Sequence, residues 1–436
     1  IVYAIGQLAS GRSLEYLNKL LTDHEGDVAR FCFKESVDLI ADSASYWLLL
    51  AIAIFPDSPS REALEFVSGL DPFEADEGIS KLVTLSLVSV KDDNRINMLT
   101  LTREYALVEM RKNHDFFEQT CIRRLNWYKD FTSRYGGADW QDCQICYNRI
   151  KEEWTNILAV MEWCRLKERV DDIKAFWQED RIERVAIVYG YWRDCIEWMG
   201  WLQEAAERRG DWKLYIVATS IKVLPLIWMA HQDQLNDAKL LLEKIWKLED
   251  KRTAQESAKI ADLMVLLYFR LGDIEAQLSW IKIQEENISK CKLEENRRRR
   301  LLIPPLYYHP GCIAYQNKNF SLAKQHFTKM EIEAQEIGWH RMVYHARNWL
   351  ADIAIDQNDY EMARKLLENN IQIVELNNDC RRIAFFYRSF ARLELSLGNA
   401  IKAWDWAQKS LNEFQMLGMV PETNEMREFM TSLRLN

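Results

Sequence analysis

The sequence predicts an all-α protein in which helical hairpins stack into a solenoid. Leu, Glu, Lys, Arg and Ala dominate the composition, while only 15 Gly and 8 Pro are spread over 436 residues. This usage favours helix and disfavours sandwiches and barrels. A short pattern of helix, polar turn and second helix also recurs along the C-terminal half. Together these observations predict an extended helical array beside a smaller domain.

The repeat is clearest at five turns, which lie 39, 46, 40 and 40 residues apart. Their predicted centres are Asp233, Gly272, Lys318, Asn358 and Gly398, and the residues five positions later are Ala238, Gln277, Ala323, Ala363 and Ala403. A degenerate sixth copy ends at Trp198. A fixed period in this range indicates a solenoid of tetratricopeptide-like hairpins, about six over residues 185–436. Such arrays present a long concave surface, so we expect recognition of a macromolecule and not catalysis.

The N-terminal third does not follow this period. We expect helices at Phe31–Phe55, after the candidate caps Ser58 and Ser60, and at about Glu74–Leu85. The segments LVSV and RINML alternate like strands and flank a turn at Lys91–Asn94, and the helix TLTREYALVEMRK follows. Three helices, a two-stranded wing and a trailing helix are the parts of a winged-helix domain, assigned to residues 31–113. This is the only β structure that we expect.

Residues 114–184 contain many Trp, and their one strong helix breaker is Gly136-Gly137. We interpret this segment as a helical bridge between the winged helix and the array.

Composition limits the classes of function. With 57 basic and 66 acidic residues the net charge is −9, which disfavours nucleic acid as a partner. The nine Cys show no repeated framework, which is typical of reduced thiols in a cytoplasmic protein. No run of about 18 apolar residues occurs, so we expect no membrane partner.

Several strings resemble a known family. IVYAIGQL, GDVARFCFKESVDLI, LLLAIAIFPDSPSREAL and LSLVSVKDDNRINMLTLTREYA resemble the region after the nucleotide-binding core of bacterial NB-ARC proteins of the STAND class of signalling ATPases. WYKDFTSRYGGADWQDCQ, NRIKEEWTNILAVMEWC and WLADIAIDQNDYEMARKLL resemble the tetratricopeptide sensor half of cyanobacterial-type members. The resemblance makes residues 1–30 the end of a helical domain that follows this core.

The resemblance implies a signalling role. Family members switch between ADP and ATP with Mg in a P-loop core, the winged helix gates this switch, and the repeats bind a macromolecular trigger. Activated cores assemble into homo-oligomers, and antiphage defence is the role implied by analogy. The chain has no G-x-x-x-x-G-K-[ST] motif, so we expect no catalytic site and no bound cofactor on this chain alone. Its own nucleotide-binding core is then one partner, and a protein ligand on the array is another.

A nucleotide contact follows from the same resemblance. The family's Met-His-Asp motif aligns with Met98, Leu99 and Thr100, and Leu99 cannot donate a hydrogen bond to phosphate. The neighbours Thr100, Thr102 and Arg103 are the candidate replacements, with Arg103 favoured because a guanidinium binds phosphate through two hydrogen bonds. The alternative is that Arg103 pairs with a carboxylate or an adjacent helix end.

Two sets of residues are candidates for binding a partner on the array. Aromatic and arginine side chains dominate binding hot spots, and the candidates are Tyr191, Trp192, Trp198, Trp201, Arg297, Arg298, Arg299 and Arg300. The alternative for the aromatic residues is packing in the seams between hairpins. The alternative for the arginines is a solvated segment offset by Glu294 and Glu295.

Other chemistry finds little support in the sequence. Cys143 and Cys146 form a lone CxxC without two further ligands at suitable spacing, so we expect no metal. A DNA-binding regulator would need basic side chains before the wing, where Glu74, Asp76 and Glu77 accompany the single Lys81. A passive repeat scaffold that binds protein partners stays the other alternative.

Overall fold

The computed structural model describes residues 28–137 and 143–434, and helices dominate this part of the chain. The all-α prediction is therefore confirmed. Trp140 and most of the segment 1–30 lie outside the described residues. The chain forms two compact units, which divide the predicted bridge between them. Unit 1 comprises Ile1–Gly136 and Asn148–Gln178, and unit 2 comprises Gly137–Tyr147 and Glu179–Asn436.

Unit 1 contains the predicted wing and trailing helix, but four described helices instead of three precede the wing, and further helices follow the trailing one. Its elements are α1 (Val28–Asp38), α2 (Ala44–Ala53), α3 (Arg61–Ser68), α4 (Pro72–Thr84), β1 (Ser89–Val90), β2 (Ile96–Asn97), α5 (Thr100–Lys112), α6 (His114–Tyr135), α7 (Gln144–Glu152, which begins in unit 2), α8 (Trp154–Leu166) and α9 (Val170–Trp177). The single helix predicted at Phe31–Phe55 is wrong, because Asp42 adopts a left-handed conformation (φ 59°) that separates α1 from α2.

The wing is a short antiparallel hairpin. Val90 pairs with Ile96, and the Lys91 amide donates to the Arg95 carbonyl over 2.9 Å. The turn between them includes Asn94 at φ 61°, a conformation that Asn tolerates better than most residues. The hairpin predicted around Lys91–Asn94 is therefore confirmed.

A buried carboxylate links the wing to the later helices of unit 1. Glu153 is 3% exposed and accepts hydrogen bonds from Arg95 Nη2 (2.5 Å), Tyr128 Oη (2.5 Å) and Asn156 Nδ2 (2.8 Å). The Arg95 Nε atom also donates to the Ser58 carbonyl over 2.8 Å. A buried charge is tolerated when it is paired and hydrogen-bonded, so this network holds the hairpin against α6 and α8.

Unit 2 is an array of antiparallel helices joined by short turns. Its elements are α10 (Glu183–Val188), α11 (Trp192–Arg209), α12 (Trp212–Met229), α13 (Gln232–Trp246), α14 (Ala254–Leu271), α15 (Ile274–Ser289), α16 (Glu295–Ile303), a π-helix (Pro304–Tyr308), α17 (His309–Gln316), α18 (Phe320–Glu336), α19 (His340–Asp356), α20 (Tyr360–Leu376), α21 (Cys380–Ser396), α22 (Ala400–Leu417) and α23 (Val420–Arg434). Short 3₁₀ turns lie at Gln178–Asp180 and Glu249–Lys251.

The turns of the array are built on residues in the left-handed conformation. Four predicted centres have it, at Gly272, Lys318, Asn358 and Gly398. The first predicted centre is wrong, because the left-handed residue is Ala230 and Asp233 lies in the exposed first turn of α13. The same conformation recurs every 20 residues at Gly190, Gly210 and Ala230 and again at Lys318, Gly338, Asn358, Asn378, Gly398 and Gly418.

The residues predicted five positions after each turn centre, four of which are Ala, are buried. Ala238, Ala323, Ala363 and Ala403 are 0% exposed, and Gln277 is 1% exposed. A small side chain at this place lets the second helix of a hairpin pack closely on the first.

One helix of the array is unusually apolar. By length and composition alone α12 could cross a membrane, with a mean hydropathy of 1.3, and 67% of it is buried within the protein. Burial of this extent suits a core helix, which passes the same test.

Residues early in the array contact residues late in it, and we call these contacts the closing seam. On the early side lie Gly190, Trp228 and Arg270, and on the late side Arg381 and Glu422. Arg270 Nη1 pairs with Glu422 Oε1 over 2.7 Å. The Arg381 guanidinium lies 4.5 Å from the centre of the Trp228 ring. Gly190 has φ 76°, which favours glycine, and a Cβ atom there would lie 2.7 Å from Leu417 Cδ2, so a larger residue would also require the Leu417 side chain to shift.

Candidate functional site

The inner helices of unit 2, namely α12, α14, α17, α19, α21 and α23, are each the first helix of a hairpin or its equivalent. Five of them, with the π-helix, surround a cavity of about 270 Å³. Its polar and charged walls come from Arg270, His345, Asn348, Asp352, Arg381, Arg382, Arg388, Glu422 and Glu425, and its apolar walls from Ile227, Trp228, Leu266, Phe269, Tyr308, Trp349, Phe385 and Pro421. Its size lies just below the range of roughly 300–1,000 Å³ that is usual for small-molecule pockets.

Two of the cavity's arginines are neutralised by carboxylates. Arg388 pairs with Asp352 over 3.1 Å and with Glu425 over 3.5 Å. Arg270 pairs with Glu422 across the closing seam. The three carboxylates of the cavity wall are therefore already engaged, although Glu422 Oε2 keeps no hydrogen-bond partner.

Arg381 and Arg382 differ from these two. They are 8% and 7% exposed, and neither guanidinium makes an ion pair with any described residue. The Nε atoms of both are buried without a hydrogen-bond partner. The nearby carboxylate Asp379 is occupied by Arg341 Nε at 2.6 Å and Tyr344 Oη at 3.1 Å. The cavity therefore holds two positive charges that form no direct ion pair with a described residue, although Glu422 acts on Arg381 and Asp379 acts on Arg382 at longer range.

Burial of these two guanidinium groups disfavours their charged form, which lowers their pKa values. Burial lowers the pKa of Arg381 to about 10 and the pKa of Arg382 to about 9, and for Arg382 the neighbouring Arg381 adds to the effect. Both groups stay cationic at neutral pH. Their position in the first turn of α21 adds to this effect, because the positive end of the helix dipole disfavours cations there.

His345 contributes a further unpaired donor. Trp349 Nε1 donates to His345 Nε2 over 3.2 Å, so the proton of the neutral ring is on Nδ1. That Nδ1 atom is buried and has no partner. Burial, and then Arg382 and Arg381, lower the pKa of His345 well below its usual value, so the ring is neutral at physiological pH.

The aromatic candidates of the sequence lie elsewhere in unit 2. Trp192 is 1% exposed beside the Trp228 ring, with centroids 5.2 Å apart, and Trp198 is 7% exposed. Both occupy the packing role that the sequence left open. Tyr191 and Trp201 are half-buried, and none of the four lines the cavity.

The arginine run divides into two pairs along α16. Arg297 and Arg298 are exposed. Arg299 pairs with Glu333 over 2.7 Å and with Glu336 over 2.5 Å. Arg300 lies 4.7 Å from the Trp339 ring centre. The outer half of the run is thus exposed, and the inner half contacts α18 and the Trp339 ring.

In unit 1, the three nucleotide-contact candidates share the first turn of α5. Thr100 is exposed and Thr102 is buried. Arg103 Nη1 donates to the Pro56 carbonyl over 2.8 Å, just beyond the end of α2, which is the alternative that the sequence left open. Burial lowers the pKa of Arg103.

Cys143 and Cys146 are half-buried, and neither forms a disulfide. Among the described residues no group of three or more His, Cys, Asp or Glu side chains could hold a metal ion.

The sequence analysis did not predict the cavity residues, although several of them recur at helical spacing. Arg381, Arg388 and Arg392 are spaced by seven and four residues, which places them on one face of a helix. His345, Asn348 and Asp352 follow the same rule on α19. A polar face on the first helix of consecutive hairpins is therefore the signature of this site.

The fold and the cavity define a helical-repeat protein with a charged internal pocket. No family model and no curated protein matches the chain. The solved structures include a Signal Transduction ATPase with Numerous Domains (STAND) protein with a tetratricopeptide repeat sensor from Pyrococcus horikoshii, at 14% identity and a TM-score of 0.46, covering 94% of this chain and 56% of that chain. They also include a circular tandem repeat protein with novel repeat topology, at 14% identity and a TM-score of 0.17, covering 96% of this chain and 87% of that one. Both likenesses are distant.

Proposed function

We propose that this chain is the ligand-sensing and regulatory half of a STAND-class signalling ATPase with an NB-ARC core. The proposal rests on the sequence resemblance and on the order of parts, a winged helix before a repeat array. In it, the inner surface of the array receives the trigger. The trigger is a macromolecule, part of which enters the cavity.

The observation that carries the sensing role is the construction of the cavity. Its walls come from early helices, through Trp228 and Arg270, and from late helices, through Arg381 and Glu422. A ligand in this space touches both sides of the closing seam at once. Binding can therefore favour one arrangement of the seam over another, which is what a ligand must do to shift a conformational equilibrium.

The energy required is moderate. About 5.5 kcal/mol of differential affinity shifts a two-state switch from 1:99 to 99:1. Neutralising two buried charges while covering apolar surface offers a contribution of this order. We propose that this energy opens a core that the winged helix otherwise holds in its ADP state.

The finer parts of the proposal follow the family. The core would hold ADP or ATP with Mg, the protein would be cytoplasmic, and activated copies would assemble into homo-oligomers. Antiphage defence is the biological role proposed by analogy alone.

The test is the intact mass of the native protein, with peptide mapping of the sequence that precedes Ile1. We expect additional sequence with G-x-x-x-x-G-K-[ST], and co-purifying ADP measured after denaturation. A native N-terminus at or near Ile1 would overturn the signalling role and favour a ligand-binding repeat scaffold.

A further inference from the structure

We propose that Arg381 and Arg382 form an oxyanion site that binds the phosphate of a phosphate monoester, whose apolar part faces Leu266, Phe269 and Trp349. This inference deepens the proposed function and rests on it, since it gives the chemical class of group that the sensing cavity takes.

The two arginines without an ion pair favour an anion as the ligand of the cavity. Each remaining arginine around the cavity has a carboxylate: Arg270 has Glu422, Arg388 has Asp352 and Glu425, Arg392 has Asp352 and Asp356, and Arg341 has Asp379. Only Arg381 and Arg382 lack one among the described arginines of this wall. A buried charge without its partner is strongly destabilising, so a fold that keeps two such cations here has a reason beyond stability.

The number of charges selects a phosphate. A phosphate monoester carries roughly −1.5 to −2 at neutral pH, which matches two guanidinium groups, whereas a carboxylate matches one. Guanidinium groups bind phosphate oxygens through paired hydrogen bonds. Arg381 Nε and Arg382 Nε are two free donors, and Arg388 Nε and His345 Nδ1 are buried nearby without partners.

The apolar residues of the cavity favour a phosphate ester over inorganic phosphate. Leu266, Phe269, Trp349 and Pro421 line the cavity together with the charged groups. A volume of about 270 Å³ accommodates a small organic group beside the phosphate and is too small for a folded domain. The ester can be a free small molecule or a phosphorylated side chain of a larger trigger.

The experiment measures binding to the whole chain by calorimetry and thermal shift. The probes are phenyl phosphate, a short peptide with phosphotyrosine, inorganic phosphate, and benzoate as a carboxylate comparator. We expect one or both phosphate esters to bind more tightly than inorganic phosphate and benzoate. The tighter ester identifies the source as a small molecule or a phosphoprotein. Absence of binding by both esters would overturn the inference.

Variants separate a binding site from a structural role. Arg382→Met should weaken the binding of the better ester roughly tenfold to hundredfold, and should raise the Tm without ligand because it removes an uncompensated charge. Arg382→Lys keeps the charge but loses the paired geometry, so an intermediate affinity is expected. Lys365→Met removes an exposed cation on α20 and should leave both properties unchanged.

Two results would overturn the inference. One is unaltered ester affinity in Arg382→Met. The other, decisive if Arg382→Met does not fold, is wild-type ester affinity in Arg382→Lys. Neither result affects the proposed signalling role, which depends on the sequence before Ile1, and a missing P-loop does not affect anion binding.

Discussion

At the scale of single residues, buried charges organise both units. Glu153 in unit 1 has three donors around one carboxylate, and Asp352 in unit 2 accepts from Arg388, Arg392 and Ser389. Such groups are stable because their partners are complete. Arg381 and Arg382 are the contrasting case, since neither guanidinium forms an ion pair with a described carboxylate.

Glu153→Gln should lower the free energy of unfolding by about 3 kcal/mol, because it leaves the half-buried Arg95 without its counter-charge. Urea denaturation followed by Trp fluorescence measures this effect. Glu152→Gln changes the same residue type one position earlier, at an exposed site, and should stay within about 0.5 kcal/mol of wild type. Equal effects of the two substitutions would show that the Glu153 network contributes nothing.

His345 should make stability depend on pH. Burial, Arg382, Arg381 and Arg341 hold its pKa in the folded protein well below 6.5. The unfolded chain therefore binds the extra proton, and stability from this group is complete above about pH 6.5 and is lost as the pH falls below it, by up to about 1.4 kcal/mol per pH unit. Comparing wild type and His345→Gln at pH 7.5 and 5.5 measures this loss. A variant with the same pH dependence as wild type would contradict this prediction.

At the scale of elements, the array is a succession of helices, and many of the turns between them contain a residue in the left-handed conformation. The residue after each of several turns is Asp or Asn, and its side chain caps the next helix. In each such cap, the side chain accepts a hydrogen bond from the backbone amide three residues later. The capping residues are Asp211, Asp273, Asn319, Asp359 and Asp379. Turn and cap together fix where each helix begins, so the spacing of helices is encoded locally.

Two glycine substitutions should have opposite signs. Gly398→Ala places a Cβ on a residue at φ 78° with open space around it, so the strain is conformational and should cost about 1–2 kcal/mol. Gly200→Ala lies within α11, where only Lys222 approaches, and should gain about 0.5–1 kcal/mol. Thermal denaturation of both variants measures the difference. Effects of the same sign would contradict the left-handed turn at Gly398.

The turns of the array and the wing could be predicted from sequence where a residue that favours the left-handed conformation marks them. The turns at Gly272, Asn358 and Gly398 could be predicted, because Gly and Asn favour the left-handed conformation and lie between amphipathic helices. Asn94 predicts the turn of the wing for the same reason. Ala230 does not predict its turn, because alanine rarely adopts φ above zero and the polar residues that follow it imitate a turn. The cavity was not predictable in the same way, since Trp228, Tyr308 and Arg381 are brought together only by the path of the whole array.

At the scale of the whole molecule, the chain combines a net charge of −9 with a cavity that concentrates positive charge. It also passes between its two units three times, after residues 136, 147 and 178. Within unit 2 the closing seam joins residues separated by 152 positions, as in the pair Arg270–Glu422. Long-range pairing of this kind makes the array behave as one cooperative body instead of a sum of neighbouring repeats.

The seam pair should be strongly coupled. Arg270 and Glu422 side chains are 13% and 7% exposed, whereas Lys244 and Glu207 form an ion pair of similar length (2.8 Å) at 46% and 51% exposure. A double-mutant cycle with Arg270→Met and Glu422→Gln should give about 1–3 kcal/mol of coupling. The matched cycle with Lys244→Met and Glu207→Gln should give less than about 1 kcal/mol. Equal coupling energies would contradict the prediction that burial strengthens the seam pair.

The closing seam also constrains how such a protein can evolve. An open solenoid gains or loses a hairpin by duplication or deletion with little penalty, because only nearest neighbours are affected. Here an inserted hairpin of about 40 residues would move Glu422 away from Arg270 and Leu417 away from Gly190. Copy number is therefore fixed by geometry, and diversification is left to substitutions inside the cavity.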